Sequence, residues 1–488
     1  MPTNTSPSAV ADIPSAPDPV PLVVDVDGTL IRGDLLHEAA LQFVATRPLQ
    51  SWKLAAWLTR GKVQLKSELA AQIDPGTDTM PLREETLAVI ADAVADGRPV
   101  YLASASDHRW VAPIAARIDG IADVLASDGT VNLAGHAKAT ALVTRFGEKG
   151  FDYIGDARVD LPVWAAARQA LLVSHSAGFE RRVRGRFPDV VTIADARPQP
   201  RAYLRAIRPH QWAKNALVFL PVIAGHKLGD LLTIWLALLA FAAFSLAASS
   251  AYLLNDLLDI PGDRDHPRKR NRPFAAGRIP VIHGIVLSAV LMAAALGISQ
   301  LLTSRFATVL ACYVALTLAY SLMLKRRMLI DVIILGGLYT IRVLGGVAAS
   351  GERQSQWLLM FSLFLFLSLA TVKRCSELVA RRDAGKPAPP GRGYAIGDLA
   401  VLFPLAAAAG YAAVLIVTLY LSSPEIALLY AHPFRMWLIC PLLLYWISRV
   451  LVLSSRGEMH DDPVIFALTD RVSWLTGILG AGIIVASI

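Results

Sequence analysis

Two kinds of apolar spacing divide the chain. Up to about residue 185, short apolar runs end in polar residues and are separated by amphipathic stretches. PLVVDVDGTL, RPVYLAS and FDYIGD each read as a buried strand with a polar end. Strands alternating with helices predict an α/β domain, a doubly wound parallel sheet with its site at the strand ends. Leu35 to about Pro81 reads as helical and amphipathic, an insertion after the first strand. LPVWAAARQALLVS falls short of the roughly 20 residues a bilayer requires, and belongs to this domain. Beyond residue 200 long apolar runs alternate with short polar loops. Spans are predicted near 214–227, 231–256, 281–302, 305–325, 329–349, 356–380, 398–422, 434–454 and 470–488. The second domain is therefore expected to be all-α and polytopic, with about nine transmembrane helices. The expected boundaries are a disordered tail at 1–20, the α/β domain at 21–185 with its helical insertion at about 33–81, a linker at 186–200, and the membrane domain at 201–488.

Composition agrees: 54% of the 488 residues are hydrophobic, too many for a soluble protein of this length. The formal charge of +8 suits anionic headgroups and phosphates, and no motif supports a nucleic-acid partner. The three cysteines lie in or beside apolar runs without ligand spacing. The N-terminal stretch lacks the basic and apolar regions of a signal peptide, so the first domain is expected in the cytoplasm. Basic residues follow alternate spans: Arg264 to Arg278, Lys325 to Arg327, Lys373 to Arg392, and Arg449 with Arg456. The positive-inside rule places these loops, and the first domain, on the cytoplasmic side of the inner (plasma) membrane.

Asp25 and Asp27 alternate at the end of the first strand, so both carboxylates enter one site. Their D-x-D-G-T context resembles the first motif of the haloacid dehalogenase superfamily. Further motifs follow in order: Ser104, with Ser106 as a close second, at the end of RPVYLAS; Lys138 in GHAKA; and Asp156 with Asp160 in GDARVD. The resemblance implies a phosphatase in which Asp25 attacks phosphorus and Asp27 protonates the leaving alcohol. It also implies that Ser104 and Lys138 hold the phosphoryl group, and that the helical insertion at about 33–81 is a cap that covers the site. Asp25, Asp27 and Asp156 would hold Mg2+, with Asp160 in support.

The membrane domain is organised around Ala251 to Gly277, AYLLNDLLDIPGDRDHPRKRNRPFAAG. Asn255, Asp256, Asp259 and Asp263 bring oxygen ligands to the end of an apolar run, and Arg268, Lys269, Arg270 and Arg272 follow at once. Carboxylates hold Mg2+, Mg2+ holds a diphosphate, and cations take the remaining phosphate charge. Pro261 and Gly262 are expected to break the helix and leave Asp263 on a loop. This N-D-x-x-D-x-x-x-D pattern resembles the signature of the UbiA superfamily of intramembrane prenyltransferases, over about the last three-fifths of the chain.

The chain departs from most of that superfamily after the sixth span, where TVKRCSELVARRD puts Lys373, Arg374 and Glu377 in place of a second acidic motif. Fewer carboxylates and more cations suit more phosphate and fewer metal ions. Together with RPHQWAKN, which supplies Lys214 and Asn215, YSLMLKRR, which supplies Tyr320, Lys325 and Arg326, and HDDPVIFALTDR, to which no role is given, this resembles the decaprenyl-phosphate phosphoribosyltransferase branch. Arg342, embedded in the fifth span, is expected to line the cavity. The resemblance implies transfer of 5-phosphoribose from phosphoribosyl pyrophosphate to a polyprenyl phosphate. The fused phosphatase would then dephosphorylate the lipid product. Two rival readings stand beside it: prenyl transfer from a prenyl diphosphate to an aromatic acceptor, and a lipid-binding or transport scaffold carrying a phosphatase.

Overall fold

The computed structural model describes residues 19–488 apart from 175, 195–198, 268, 352–354, 388–392, 425, 427–429 and 460–461. The tail expected at 1–20 lies almost wholly outside the described residues, as does Arg268. Contacts divide the chain into two compact units. One runs to Tyr203 and takes in Asp256–His283; the other holds Leu204–Asn255 and Gly284–Ile488.

The first unit contains a six-stranded, wholly parallel sheet in the order β3-β2-β1-β4-β5-β6. The strands are β1 (Leu22–Val24), β2 (Val100–Asp107), β3 (Ile121–Ser127), β4 (Asp152–Gly155), β5 (Ala170–Ser174) and β6 (Val191–Ala194). Alternation along β1 loads both faces: Leu22 and Val24 enter one core with Leu102, Trp110 and Ile154. Val23 enters the other with Ala103, Tyr153 and Leu172. Leu22 pairs with Val100 on one side and Asp152 on the other, so β1 lies where the winding reverses. The carboxyl ends of β1, β2 and β4 therefore border a crevice, the usual place for a ligand in such sheets. The sheet extends into the stretch expected to be a linker, because the apolar, β-branched run Val190–Ile193 supplies β6, with Val191 opposite Leu171.

The cap is helical, as its amphipathic pattern predicts. Helix α1 (Leu35–Thr46) starts at Asp34, whose side chain accepts a hydrogen bond from His37 N at 2.9 Å. Shorter helices follow at Trp52–Thr59 and Lys62–Ala70.

Seven helices among the described residues are long and apolar enough to cross a membrane: Leu231–Leu258, Val281–Ser299, Ser304–Leu322, Ile330–Ser350, Gln356–Asp383, Ile396–Leu421 and Pro433–Ser455. An eighth is counted if Pro463–Thr469 and Arg471–Ser487, bent by 78°, form one broken span. The ninth expected span, 214–227, is absent. Pro209–Phe219 winds as a 3-10 helix, and only the short helix Leu220–Ala224, with Pro221 in its first turn, follows. Lys214 and Asn215 are buried inside that winding, where a continuous apolar span has no place for them. Ile330–Ser350 is the most enclosed of the seven. Gly346 admits its neighbour there, since a Cβ at that position would come within 2.1 Å of Val218 O.

Candidate functional site

The carboxyl end of β1 delivers Asp25 into the crevice. Lys138, from the helix His136–Phe146, donates to Asp25 Oδ1 at 2.8 Å and to Tyr153 Oη at 2.9 Å. Tyr153 Oη donates to Asp160 Oδ1 at 2.9 Å, while Asp160 Oδ2 accepts from Ala157 N at 3.1 Å. Asp156 follows β4 and accepts from Thr29 Oγ1 at 3.1 Å. Asp25, Asp156 and Asp160 bring ligand oxygens within 4.8 Å of one another. Gly28, at φ +74°, makes room for this group: a Cβ there would lie 2.3 Å from Asp156 Oδ2.

Burial raises the Asp25 carboxyl to about 7 against the pull of Lys138. Burial, reinforced by Asp25 and Asp160, pushes Asp156 well above the ordinary carboxylate range. Lys138 is raised although burial opposes its charge, because Asp25 and Asp160 outweigh that opposition. Three carboxylates, two buried and one half-buried, against one ammonium form an all-oxygen set deficient in positive charge, which suits a hard divalent cation.

Asp27, expected among the metal ligands, lies outside the group that closes to metal-holding distance. Its Oδ1 accepts from Leu35 N at 2.8 Å. Its Oδ2 accepts from Ser106 Oγ at 2.7 Å and Ser104 Oγ at 3.3 Å. Ser106, the second candidate, thus lies nearer Asp27 than Ser104 does. Burial, then the charge of Asp34, raises the Asp27 carboxyl, and a carboxyl so placed can hold a proton to donate. Thr29 and Tyr153 were missed by sequence reasoning. Tyr153 could have been found, since it stands two residues before Gly155 in the strand that leads to Asp156.

In the same unit the acid row begins at Asp256, on the last turn of Leu231–Leu258. Asp259 sits at the break and caps a new short helix, Ile260–Arg264, which carries Asp263. The loop expected at Asp263 is therefore helical. Pro261 falls in the first turn, where it starts a helix rather than ending one. Arg272 Nη1 stands between two of the acids, 3.1 Å from Asp256 Oδ1 and 2.7 Å from Asp263 Oδ2. Asp256 and Asp263 thus converge on one point that takes a positive charge, although the three acids Asp256, Asp259 and Asp263 do not all close to the distance at which Asp25, Asp156 and Asp160 stand. Lys269 is exposed on the turn Lys269–Asn271.

In the second unit Lys214 Nζ and Lys373 Nζ both lie 2.8 Å from Asp462 Oδ2. Tyr339 Oη donates to Asp462 Oδ1 at 3.3 Å. Arg342 donates through Nε to Asn215 Oδ1 at 2.7 Å and through Nη2 to Tyr313 Oη at 3.0 Å, and lies over the Tyr313 ring. Asn215 in turn donates to Ser245 Oγ at 3.0 Å. The adjacent pair Lys214 and Asn215, with Arg342 and Lys373 from distant helices, thus meets in one polar cluster. Asp462 was missed because, placed just before Pro463, it has the pattern of a helix cap. It does cap that helix, accepting from Val464 N at 3.1 Å.

Arg374 does not join Lys373. Neighbours on a helix point about 100° apart, so Arg374 turns inward to Asp331 at 2.7 Å and to Glu377. Tyr394 Oη also donates to Asp331, and the Arg374 side chain is only 1% exposed. Arg374 and Glu377, expected at the substrate, thus belong to an internal ion-pair network. Lys325 Nζ reaches Asn255 Oδ1 at 3.5 Å, Tyr320 is half-buried and Arg326 is exposed.

The model of the UbiA prenyltransferase family matches residues 216–484, and that of haloacid dehalogenase-like hydrolases matches residues 22–165. The uncharacterized protein y4nM of Sinorhizobium fredii is 38% identical over 464 residues, covering 94% of this chain and 89% of that protein. Nodulation protein NoeC of Azorhizobium caulinodans is 38% identical over 280 residues, 57% of this chain and 90% of that one. The decaprenyl-phosphate phosphoribosyltransferase of Mycolicibacterium smegmatis is 38% identical over 211 residues, 42% of this chain and 66% of that enzyme. The match thus spans just under two thirds of the transferase's length.

Proposed function

We propose, from the premise that this chain belongs to the UbiA prenyltransferase family and carries an N-terminal haloacid dehalogenase-like domain, that it makes a polyprenyl-phosphoryl ribose in two steps. In the first, a polyprenyl phosphate oxygen attacks C1 of phosphoribosyl pyrophosphate. The new C1–O bond forms as the old one breaks, and pyrophosphate leaves with the electron pair. In the second, the 5-phosphate of the lipid-linked product is removed.

The observation that carries the reading is the pairing of Lys214 and Lys373 with the single carboxylate Asp462, beside Arg342, which lies over the ring of Tyr339, itself a donor to Asp462. Three cations against one carboxylate suit a substrate pair rich in phosphate. The named phosphoribosyltransferase relative lends support over the part of the chain that matches it. Lys214, Asn215, Arg342 and Lys373 bind phosphate oxygens, and Asn255, Tyr320, Lys325, Arg326, Lys269 and Arg268 extend the phosphate contacts. Asp256, Asp259 and Asp263 would hold Mg2+, which supplies charge stabilisation to the departing pyrophosphate. The acceptor phosphate is already ionised, so no base is needed.

In the N-terminal domain Asp25 attacks phosphorus and forms an aspartyl phosphate while Asp27 gives its proton to the ribose 5-oxygen. Water then attacks the aspartyl phosphate, Asp27 takes its proton, and inorganic phosphate leaves. Lys138 and Ser104 steady the phosphoryl oxygens. Asp25, Asp156 and Asp160 would hold a second Mg2+, which neutralises the phosphoryl charge. Both chemistries are assigned to the cytoplasmic side of the inner membrane.

The test supplies purified protein with labelled phosphoribosyl pyrophosphate, a polyprenyl phosphate and Mg2+. Labelled lipid and pyrophosphate are expected. Consumption of a prenyl diphosphate with an aromatic acceptor, and none of phosphoribosyl pyrophosphate, would replace this reading with its rival.

A further inference from the structure

The segment that carries the acid row packs onto the cap. Arg264, the residue after Asp263, places Nη1 and Nη2 at 2.8 and 3.0 Å from the two Glu38 carboxylate oxygens, and its Nε donates to Ala275 O at 3.1 Å. Both side chains are almost fully buried, Arg264 at 3% and Glu38 at 2% exposure. One turn on, Gln42 Nε2 donates at 3.1 Å to the carbonyl of Leu258, the residue before Asp259. At the other end of α1, the first-turn N–H of Leu35 donates to Asp27.

Glu38 and Gln42, four residues apart, share one face of the helix, while the N–H of Leu35 points out of its N-terminus. The helix α1 therefore touches the carboxylate of the phosphatase motif with its first N–H and the segment bearing the transferase acids with one face. Two glycines close the fit. A Cβ on Gly277, at φ +64°, would lie 2.5 Å from Arg32 O, and one on Gly76 would lie 3.4 Å from Pro261 Cβ.

Burying both charges costs desolvation that an apolar pair would avoid, so stability is a weak reason for the Glu38–Arg264 pair. A two-pronged ion pair does fix direction and register, which an apolar contact does not.

We propose that α1 is a positioning strut for the transferase: Glu38 and Gln42, acting through Arg264 and the Leu258 carbonyl, hold Asp259 and Asp263 in the geometry that takes a divalent cation. The proposal rests on the reading of the acid row as a metal site. It gives the N-terminal domain a role in transfer that is separate from its own chemistry. Asp25→Asn, which leaves α1 intact, keeps the metal affinity of the acid row; loosening α1 weakens it.

The test uses full-length protein in which Asp25→Asn and Asp156→Asn silence the first carboxylate group. Mn2+ binding to the remaining site is followed by electron paramagnetic resonance, and Mg2+ dependence by pyrophosphate release. Glu38→Gln and Gln42→Ala are compared on this background. Loss of a group that orients a metal ligand weakens metal binding by about 10–100-fold. Glu38→Gln is expected to weaken Mn2+ binding by that factor and to raise half-saturating Mg2+ in step, with little change at saturating metal. Gln42→Ala is expected to move both less, in the same direction. Without the silencing changes, Glu38→Gln should hydrolyse p-nitrophenyl phosphate at close to the parental rate, which shows the unit folded.

Unchanged Mn2+ affinity in a folded Glu38→Gln protein would overturn the proposal. If that variant does not fold, Gln42→Ala decides, since it leaves no charge uncovered; unchanged affinity there would overturn it too. Absence of any Mn2+ site after silencing would also overturn it. Mn2+ binding without pyrophosphate release by the parent would instead defeat the transfer reading and leave the strut to be judged on affinity.

Discussion

Gly28 combines two demands in one residue. Its backbone is left-handed, and any Cβ would collide with Asp156. Gly28→Ala is expected to lower p-nitrophenyl phosphate hydrolysis by about 100-fold or more, because displacing a ligand by an ångström costs that much. Pyrophosphate release should be unaffected. Asp462 makes a second prediction. Asp462→Ala leaves Lys214 buried without its partner, an effect of about 3–5 kcal/mol for a broken buried pair. A lower Tm of the solubilised protein, together with slower transfer, is expected. In the α/β domain, Asp25, Asp27, Ser104, Lys138, Asp156 and Asp160 were all legible in the sequence, because strand alternation and motif order place them together. Asp462 was not. Its partners Lys214 and Lys373 stand 248 and 89 residues away, and no local spacing records such a meeting.

At the scale of elements, the helix Gln356–Asp383 separates two cations that look equivalent in sequence. Lys373 reaches the Asp462 cluster, whereas Arg374 closes an inner network with Asp331 and Glu377. Lys373→Ala is expected to impair transfer with little change in Tm. Arg374→Ala should lower Tm by exposing Asp331 to burial without a counter-charge. Equal effects on both measurements would contradict the assignment. Apolar run length was a good guide to the long helices and a poor one at 214–227. Hydropathy there counts the apolar residues but does not see that Pro209 and Pro221 restart the backbone. The same blindness to where a proline falls put Asp263 on a loop. The preceding helix ends at Leu258 and Pro261 sits in the first turn of the next, and only the backbone shows that the proline starts a helix there.

For the whole molecule, two transferable groups of carboxylates share one chain, and each has its own expected product. Asp25→Asn should stall the pathway at lipid-linked phosphoribose while pyrophosphate release continues, as thin-layer analysis of labelled lipid would show. Equal amounts of phosphorylated and dephosphorylated lipid in parent and variant would dissolve the link between the two activities. The two-domain plan was visible as a change of apolar period. The sheet's sixth strand was not, because four residues of β-branched character inside an Arg- and Pro-rich stretch read as linker until paired with β5. Nor was the seating of the acid row on α1 visible, since Glu38 and Arg264 lie 226 residues apart. The central claim is that the membrane domain moves a phosphoribosyl group onto a lipid phosphate. Its most direct test is pyrophosphate release from phosphoribosyl pyrophosphate by purified protein with Mg2+, with and without polyprenyl phosphate. Release that requires the lipid and is lost in Asp256→Ala is expected; no release in the presence of all three components would contradict the account.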